Sequence, residues 1–102
     1  MADLQQLFQL GQQVQGRLQQ LQTDLAGRTI EVSVGAGMVR VSADGRGMIR
    51  SVTIAPEAYE GRDAELLSDL ILSAIAEAQR RAADLAQDEM RKVQPPQGFP
   101  SL

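Results

Sequence analysis

Residues 35–54 read GAGMVRVSADGRGMIRSVTI, four glycines and three arginines set between short runs of β-branched residues. Together with TIEVSV just before it (29–34), the stretch spells three strands in succession. In the first, Ile30, Val32 and Val34 alternate with Thr29, Glu31 and Ser33, the pattern of a strand with one buried face. The second carries Val39, Val41 and Ala43 inward and Arg40 and Ser42 outward. Gly35-Ala36-Gly37 turns the chain between them, and Asp44-Gly45 signals a second hairpin. The third strand poses a register question. A two-residue turn at Asp44-Gly45 would set Met48, Arg50, Val52 and Ile54 on the apolar face and bury an unpaired guanidinium, which costs far more than a bulge. A three-residue loop, Asp44 to Arg46, turns Ile49 inward instead, and a β-bulge near Arg50 and Ser51 returns Val52 and Ile54 to the same face. Arg50 then faces outward beside Arg40 and within reach of Glu31. Arg46, at the loop tip, is left accessible to a polyanion.

A helix precedes this meander and another follows it. Over residues 3–25, Leu4, Leu7, Gly11, Val14, Leu18, Leu21 and Leu25 recur at steps of three and four, with Phe8 and Leu10 widening the stripe and Gly27 as its C-terminal cap. Such a rod is roughly 33 Å long. A three-stranded sheet cannot cover it, so part of the seam, with Leu7, Val14, Leu18 and Leu21 as the candidate dimer interface, is expected to meet another helix. After Ala55-Pro56 and a turn-like EAYEGRD, the last helix starts near Asp63, which can cap it, and runs to about Val93. Its buried stripe is expected to hold Leu67, Leu70, Ile71, Ala74, Ile75, Ala78, Ala82, Leu85 and Ala86. The fold class is therefore α+β, a three-stranded antiparallel β-meander with helices on one face in the order α-β-β-β-α. Residues 1–94 form one domain, and 95–102 read as a Pro-rich flexible tail.

Composition excludes much chemistry. The chain has 102 residues, a size at which a lone chain leaves apolar surface uncovered and tends to self-associate. With no cysteine and no histidine there are no disulfides, no thiol nucleophile, no imidazole base and no zinc site of the usual kind. Aromatic residues make up 3%, too few for the stacking platforms that grip single-stranded nucleic acid. The N-terminal MADLQQLFQLGQQ lacks the basic start of a signal peptide, and the apolar run Leu70–Ala76 is too short for a bilayer, so a cytoplasmic protein with no membrane partner is expected. The glycines do not form G-x-G-x-x-G, and a strand rather than a helix follows them, so no phosphate cradle, cofactor or small-molecule substrate is implied. The reading is of a protein that is not an enzyme.

The net charge is −3, split as +1 over residues 1–54 and −4 over the rest. Only local clusters of arginine can therefore attract a polyanion. Arg80 to Arg91 and Arg81 to Lys92 are each eleven residues apart, so the two basic pairs share one side of the last helix at roughly 16 Å. That spacing suits successive phosphates of a duplex. Asp84 and Asp88 lie between them, however, and Arg80-Asp84 and Asp88-Lys92 also suit ion pairing along the helix. Arg17 flanks the seam of the first helix.

Taken together, LGQQVQGRLQQLQTDLAG, the meander with its G-x-G-x-V-x-V-x-x-D-G-R-G-x-I-x-S-V-x-I-x-P-E pattern, and LLSDLILSAIAEAQRRAADLAQDEMRKV resemble the YbaB/EbfC family of bacterial nucleoid-associated proteins. The resemblance spans residues 4 to about 93. It implies a homodimer with projecting helical arms, located in the nucleoid, that binds double-stranded DNA with little sequence preference and needs no cofactor. It also implies basic residues on the first helix in a pattern like Q-x-K-x-Q-K, where Arg17 matches the first base and Gln20 stands in place of the second. Arg17, Arg46, Arg80, Arg81, Arg91 and Lys92 are thus the candidate phosphate contacts. The acidic balance and the glutamine-rich helix face keep a second reading open, a non-catalytic dimeric protein-interaction module.

Overall fold

The computed structural model describes residues 3–92; the Pro-rich segment 95–102 lies outside them. The order is α1 (Leu4–Gly27), β1 (Thr29–Val34), β2 (Val39–Asp44), β3 (Ile49–Ile54), a short α2 (Pro56–Glu60) and α3 (Ala64–Arg91). The three strands form one antiparallel sheet in the order β1-β2-β3. The α-β-β-β-α expectation is met, with α2 added where only a turn was expected. Pro56 supplies the fixed φ that suits the first turn of this helix.

Alternation sets the register. Val32 faces Val41 and Val34 faces Val39, so the β-branched sides of β1 and β2 line up on one face. Onto that face α3 lays Ala74 and Ala78, and their small side chains let the helix backbone sit close to Val39, Val41 and Ala43. Leu67, Leu70, Ile71 and Ile75 pack around this centre. Asp63 caps α3 as its sequence promised, its Oδ1 accepting the Leu66 N–H at 3.0 Å.

The first turn bends through Gly35, Ala36 and Gly37, all with positive φ. Gly35 also lies under Leu70, where a Cβ would be 3.1 Å from both Leu70 methyls. The second loop is shifted by one residue from expectation. Asp44 ends β2 and is buried, and the loop is Gly45-Arg46-Gly47, with Gly47 at φ +86° taking the left-handed conformation that closes it. Asp44 N–H donates to the Met48 carbonyl at 2.9 Å, and Gly47 N–H donates to the Asp44 carbonyl at 3.1 Å. The bulge falls where the charge argument puts it, because Ser42 faces Ser51 while Ala43 faces Ile49, leaving Arg50 as the extra residue. Ile49 reaches the core, and Val52, opposite Val41, is on the inner face.

Packing on α1 differs from the seam expectation. Gly27 is its last helical residue, and Arg28, extended at φ −81°, follows as the cap. Leu21 and Leu25 are the residues of α1 buried within the protomer, packed where the helix crosses α3 and β2. The Leu4 to Val14 portion of the stripe is exposed.

Candidate nucleic-acid interface

The junction of α1 with the β2–β3 loop is built around one carbonyl. Leu25 O, left without a helical partner at the end of α1, accepts N–H groups from Arg28 at 3.1 Å and from Gly45 at 2.8 Å. The contact leaves no room at Gly45, where a Cβ would lie 2.6 Å from that oxygen. Asp44 organises the loop from below. Its Oδ1 accepts the Arg46 N–H at 2.8 Å and the Met48 N–H at 3.0 Å, while Oδ2 lies 3.7 Å from the Arg50 guanidinium. The Met48 N–H chiefly, with the Arg46 N–H and the charges of Arg50 and Arg46, holds the Asp44 carboxyl below its ordinary range against the opposing effect of burial.

Arg50 does not spread over a solvated sheet surface beside Arg40 and Glu31. It turns back to donate to the Ala26 carbonyl, so its positive charge sits at the negative end of α1. The D-G-R-G-x-I-R segment is therefore a clasp that locks the hairpin to the first helix. The bulge frees Arg50 from the sheet and makes that reach possible.

The expected phosphate contacts fall into two groups. On α3, Arg80 forms a fork on Glu77, Nη2 to Oε1 at 2.6 Å and Nε to Oε2 at 3.1 Å, and reaches Asp84 at 3.1 Å. Arg81 donates to the same Glu77 at 3.1 Å and to the Glu31 carbonyl of β1 at 3.4 Å. Hydrogen bonds from Arg80 first, then Arg81, hold the Glu77 carboxyl below its usual value, and Glu77 raises that of Arg80. Further along, Arg91 pairs with Asp88 at 3.5 Å and Lys92 with Glu89 at 3.1 Å, in place of the expected Asp88-Lys92 pair. Each α3 cation thus has a carboxylate partner. Arg17 and Arg46, in contrast, form no ion pair among the described residues.

Arg46 overhangs a groove between α1 and α3 lined by Gln22, Gly45, Gly47, Gln79 and Ala83, with no acid on its walls. Arg28 is a candidate that sequence reasoning passed over. Its signal was its place directly after the α1 stripe, where the helix must end against the hairpin. It lines a neighbouring groove that also holds Asp24 and Glu89. The candidate dimer contacts also divide. Leu7 and Val14 are exposed, Leu18 is half-buried, and Leu21 is buried in the core of its own protomer.

Among the described residues no cluster of acids could hold a metal ion, and no helix is long and apolar enough to cross a membrane. The family model of the YbaB/EbfC DNA-binding family matches residues 1–97. The chain belongs to the YbaB/EbfC DNA-binding family. Relatives of this YbaB/EbfC chain include nucleoid-associated proteins of Ruminiclostridium cellulolyticum, 43% identical over 91 residues, covering 89% of this chain and 79% of the relative. One from Gluconacetobacter diazotrophicus is 40% identical, covering 91% and 87%. One from Corynebacterium diphtheriae is 36% identical, covering 98% and 92%. Among solved structures, an uncharacterised protein of Helicobacter pylori aligns with a TM-score of 0.81 at 22% identity, covering 90% of this chain and 97% of that one. It shares the YbaB/EbfC chain's fold.

Proposed function

We propose that the protein coats double-stranded DNA in the nucleoid as a homodimer, through phosphate contacts with little sequence preference and without catalysis. Membership of the DNA-binding family supports DNA as the partner, as do relatives that are nucleoid-associated proteins. The observation that carries the choice of residues is the pairing pattern of the cations. A guanidinium already forked on a carboxylate must give up that partner to meet a phosphate. Arg17, Arg28, Arg40, Arg46 and Arg62 have no such partner among the described residues, and place in the fold selects Arg17, Arg28 and Arg46 from these five. They gather at the end of α1, with Arg28 and the Arg46 loop meeting on the Leu25 carbonyl and Arg17 roughly 12 Å back along the helix. These three are the primary contacts. Arg80, Arg81, Arg91 and Lys92 join only where a phosphate displaces Glu77, Asp84, Asp88 or Glu89.

Phosphate contacts release condensed counterions, so the reading is tested by titrating duplex DNA across a salt series. Three arginines from each of two protomers give a slope of log K against log salt of about −5, at roughly −0.9 per contact. Affinities should be similar on unrelated sequences, since phosphates carry no base information. No complex even at low salt would end the reading. The exposed Leu4, Leu7 and Phe8 stripe on α1 favours a second one, a module that binds another protein. Recovery of one stoichiometric protein partner after nuclease treatment, with no DNA complex, would support it.

A further inference from the structure

We infer that Arg50 is a positioning residue for DNA binding: it fixes the direction of α1, so that Arg17 on the helix stays in line with Arg28 and Arg46 at its foot. This deepens the reading above and rests on its choice of phosphate contacts. Arg50 is itself engaged on two sides. Its guanidinium donates to the Ala26 carbonyl and lies 3.7 Å from Asp44 Oδ2. The other oxygen of Asp44 accepts the Arg46 N–H at 2.8 Å and the Met48 N–H at 3.0 Å. One buried aspartate thus sets both the loop that carries Arg46 and, through Arg50, the helix that carries Arg17.

α1 needs such a fastening, because little else holds its angle. Its buried residues are Leu21 and Leu25, where it crosses α3 and β2. A Cβ on Gly27 would meet nothing within 4 Å, so no packing wedges the junction of α1 with β1. The last turn of α1 contains no basic residue of its own. The hairpin supplies two donors instead. Gly45 N–H binds the Leu25 carbonyl at 2.8 Å, and the Arg50 guanidinium binds the next one, Ala26. One hydrogen bond alone is a pivot, whereas two on successive carbonyls, about 100° apart around the helix, fix a direction. The second is charge-assisted and sits at the negative end of the helix dipole.

Leverage turns this small contact into a functional one. Arg17 lies roughly 12 Å out from Leu25, so a tilt of about 20° at the foot of α1 displaces it by roughly 4 Å. That is more than the length of a charge-assisted hydrogen bond, about 2.8 Å, and takes the guanidinium off its phosphate. Arg28 and Arg46, at the foot, move far less. Loss of Arg50 therefore spreads the three contacts over many arrangements, and binding has to select one of them.

Salt titrations of duplex DNA with the full chain, together with paired spin labels, test this. Since the chain has no cysteine, Gln9→Cys and Gln87→Cys, both at exposed positions, put one label on the arm and one on α3. Labelled protein is diluted into unlabelled chain, so the distance read lies within one protomer. Wild type should give one narrow distance. Arg50→Ala should broaden it by roughly 8 Å, the sweep of the same tilt at Gln9. The same variant should bind DNA on the order of tenfold more weakly, through lost preorganisation. Its salt slope should match wild type, because no phosphate contact is removed. Arg50→Lys keeps a charged donor for the Ala26 carbonyl and should restore the narrow distance and most of the affinity. Circular dichroism checks that each variant is folded, and Arg50→Gln replaces Arg50→Ala in the comparison if the latter is not. A slope smaller by about 1.8 would make Arg50 a phosphate contact and overturn the proposal. Unchanged affinity, or a distance as narrow as in wild type, would overturn it too. A wild type that forms no complex at low salt would end the DNA reading; a broadened Arg50→Ala distance would then still show that Arg50 directs α1, and a narrow one would refute that as well.

Discussion

At the scale of single residues, the Asp44 clasp explains why glycine and aspartate stand together in this loop. Gly45 is needed for space and not for an unusual φ, since its Cβ would strike the Leu25 carbonyl. We expect Gly45→Ala to cost about 1–3 kcal/mol in urea unfolding, as overpacked sites do. Wild-type stability there would show the loop lifting from α1 without strain. Asp44 gives the protein a pH signature. Its carboxyl titrates below the ordinary 3.8 in the folded state, so the unfolded chain takes up the proton first as pH falls. The stability it contributes is complete above that value and is lost as pH drops through the lower folded one. Glu77, lowered from 4.5, acts in the same direction. Asp44→Asn should lower stability at neutral pH and flatten the acid limb of the stability profile. An unchanged acid limb would place the linkage elsewhere.

At the scale of elements, the cations of α3 are paired with carboxylates of the same helix. Arg80 and Arg81 tie Glu77 and the β1 edge together, so replacing both with alanine should leave the salt slope of DNA binding nearly unchanged. Arg46→Ala removes one contact per protomer, and the slope should shrink by about 1.8. Equal effects of the two substitutions would mean that phosphate displaces Glu77. The difference between the two groups was only partly legible in the sequence. Strands, bulge and the α3 stripe follow from local rules, alternation and the cost of burying Arg50, and these could be read directly. The partners of a surface arginine are decided by choices between neighbours of near-equal energy. Spacing allowed both Asp88-Lys92 and Glu89-Lys92, and the structure takes the second. The reach of Arg50 to Ala26 was hidden for another reason, because it joins residues 24 apart that only the completed fold brings together.

At the scale of the whole molecule, the chain is long and thin, 72 × 23 × 16 Å, with a radius of gyration of 20.2 Å. A compact chain of this length would have about 13 Å. The excess reflects α1, a helix of 24 residues whose buried positions, Leu21 and Leu25, are confined to its last two turns. One apolar stripe thus has two fates. Its C-terminal end closes the core, and its N-terminal part projects with Leu7 57% and Phe8 71% exposed. The stripe looked uniform in sequence because heptad spacing records that a face will be covered and not by which chain. Stability measurements separate the two halves. Leu21→Ala opens a cavity where α1 meets α3 and should cost about 2–5 kcal/mol. Leu7→Gln with Phe8→Gln removes side chains that touch little in the protomer, so unfolding of the protomer should change by no more than about 0.5 kcal/mol. The comparison is made at several protein concentrations, since association adds a concentration-dependent term to apparent stability. A large, concentration-independent loss in the Leu7-Phe8 variant would show that the arm packs on its own chain. A loss that grows with protein concentration would assign the arm to contacts between copies. The expected result is a core that ends near Leu18, with the arm beyond it free to meet other molecules.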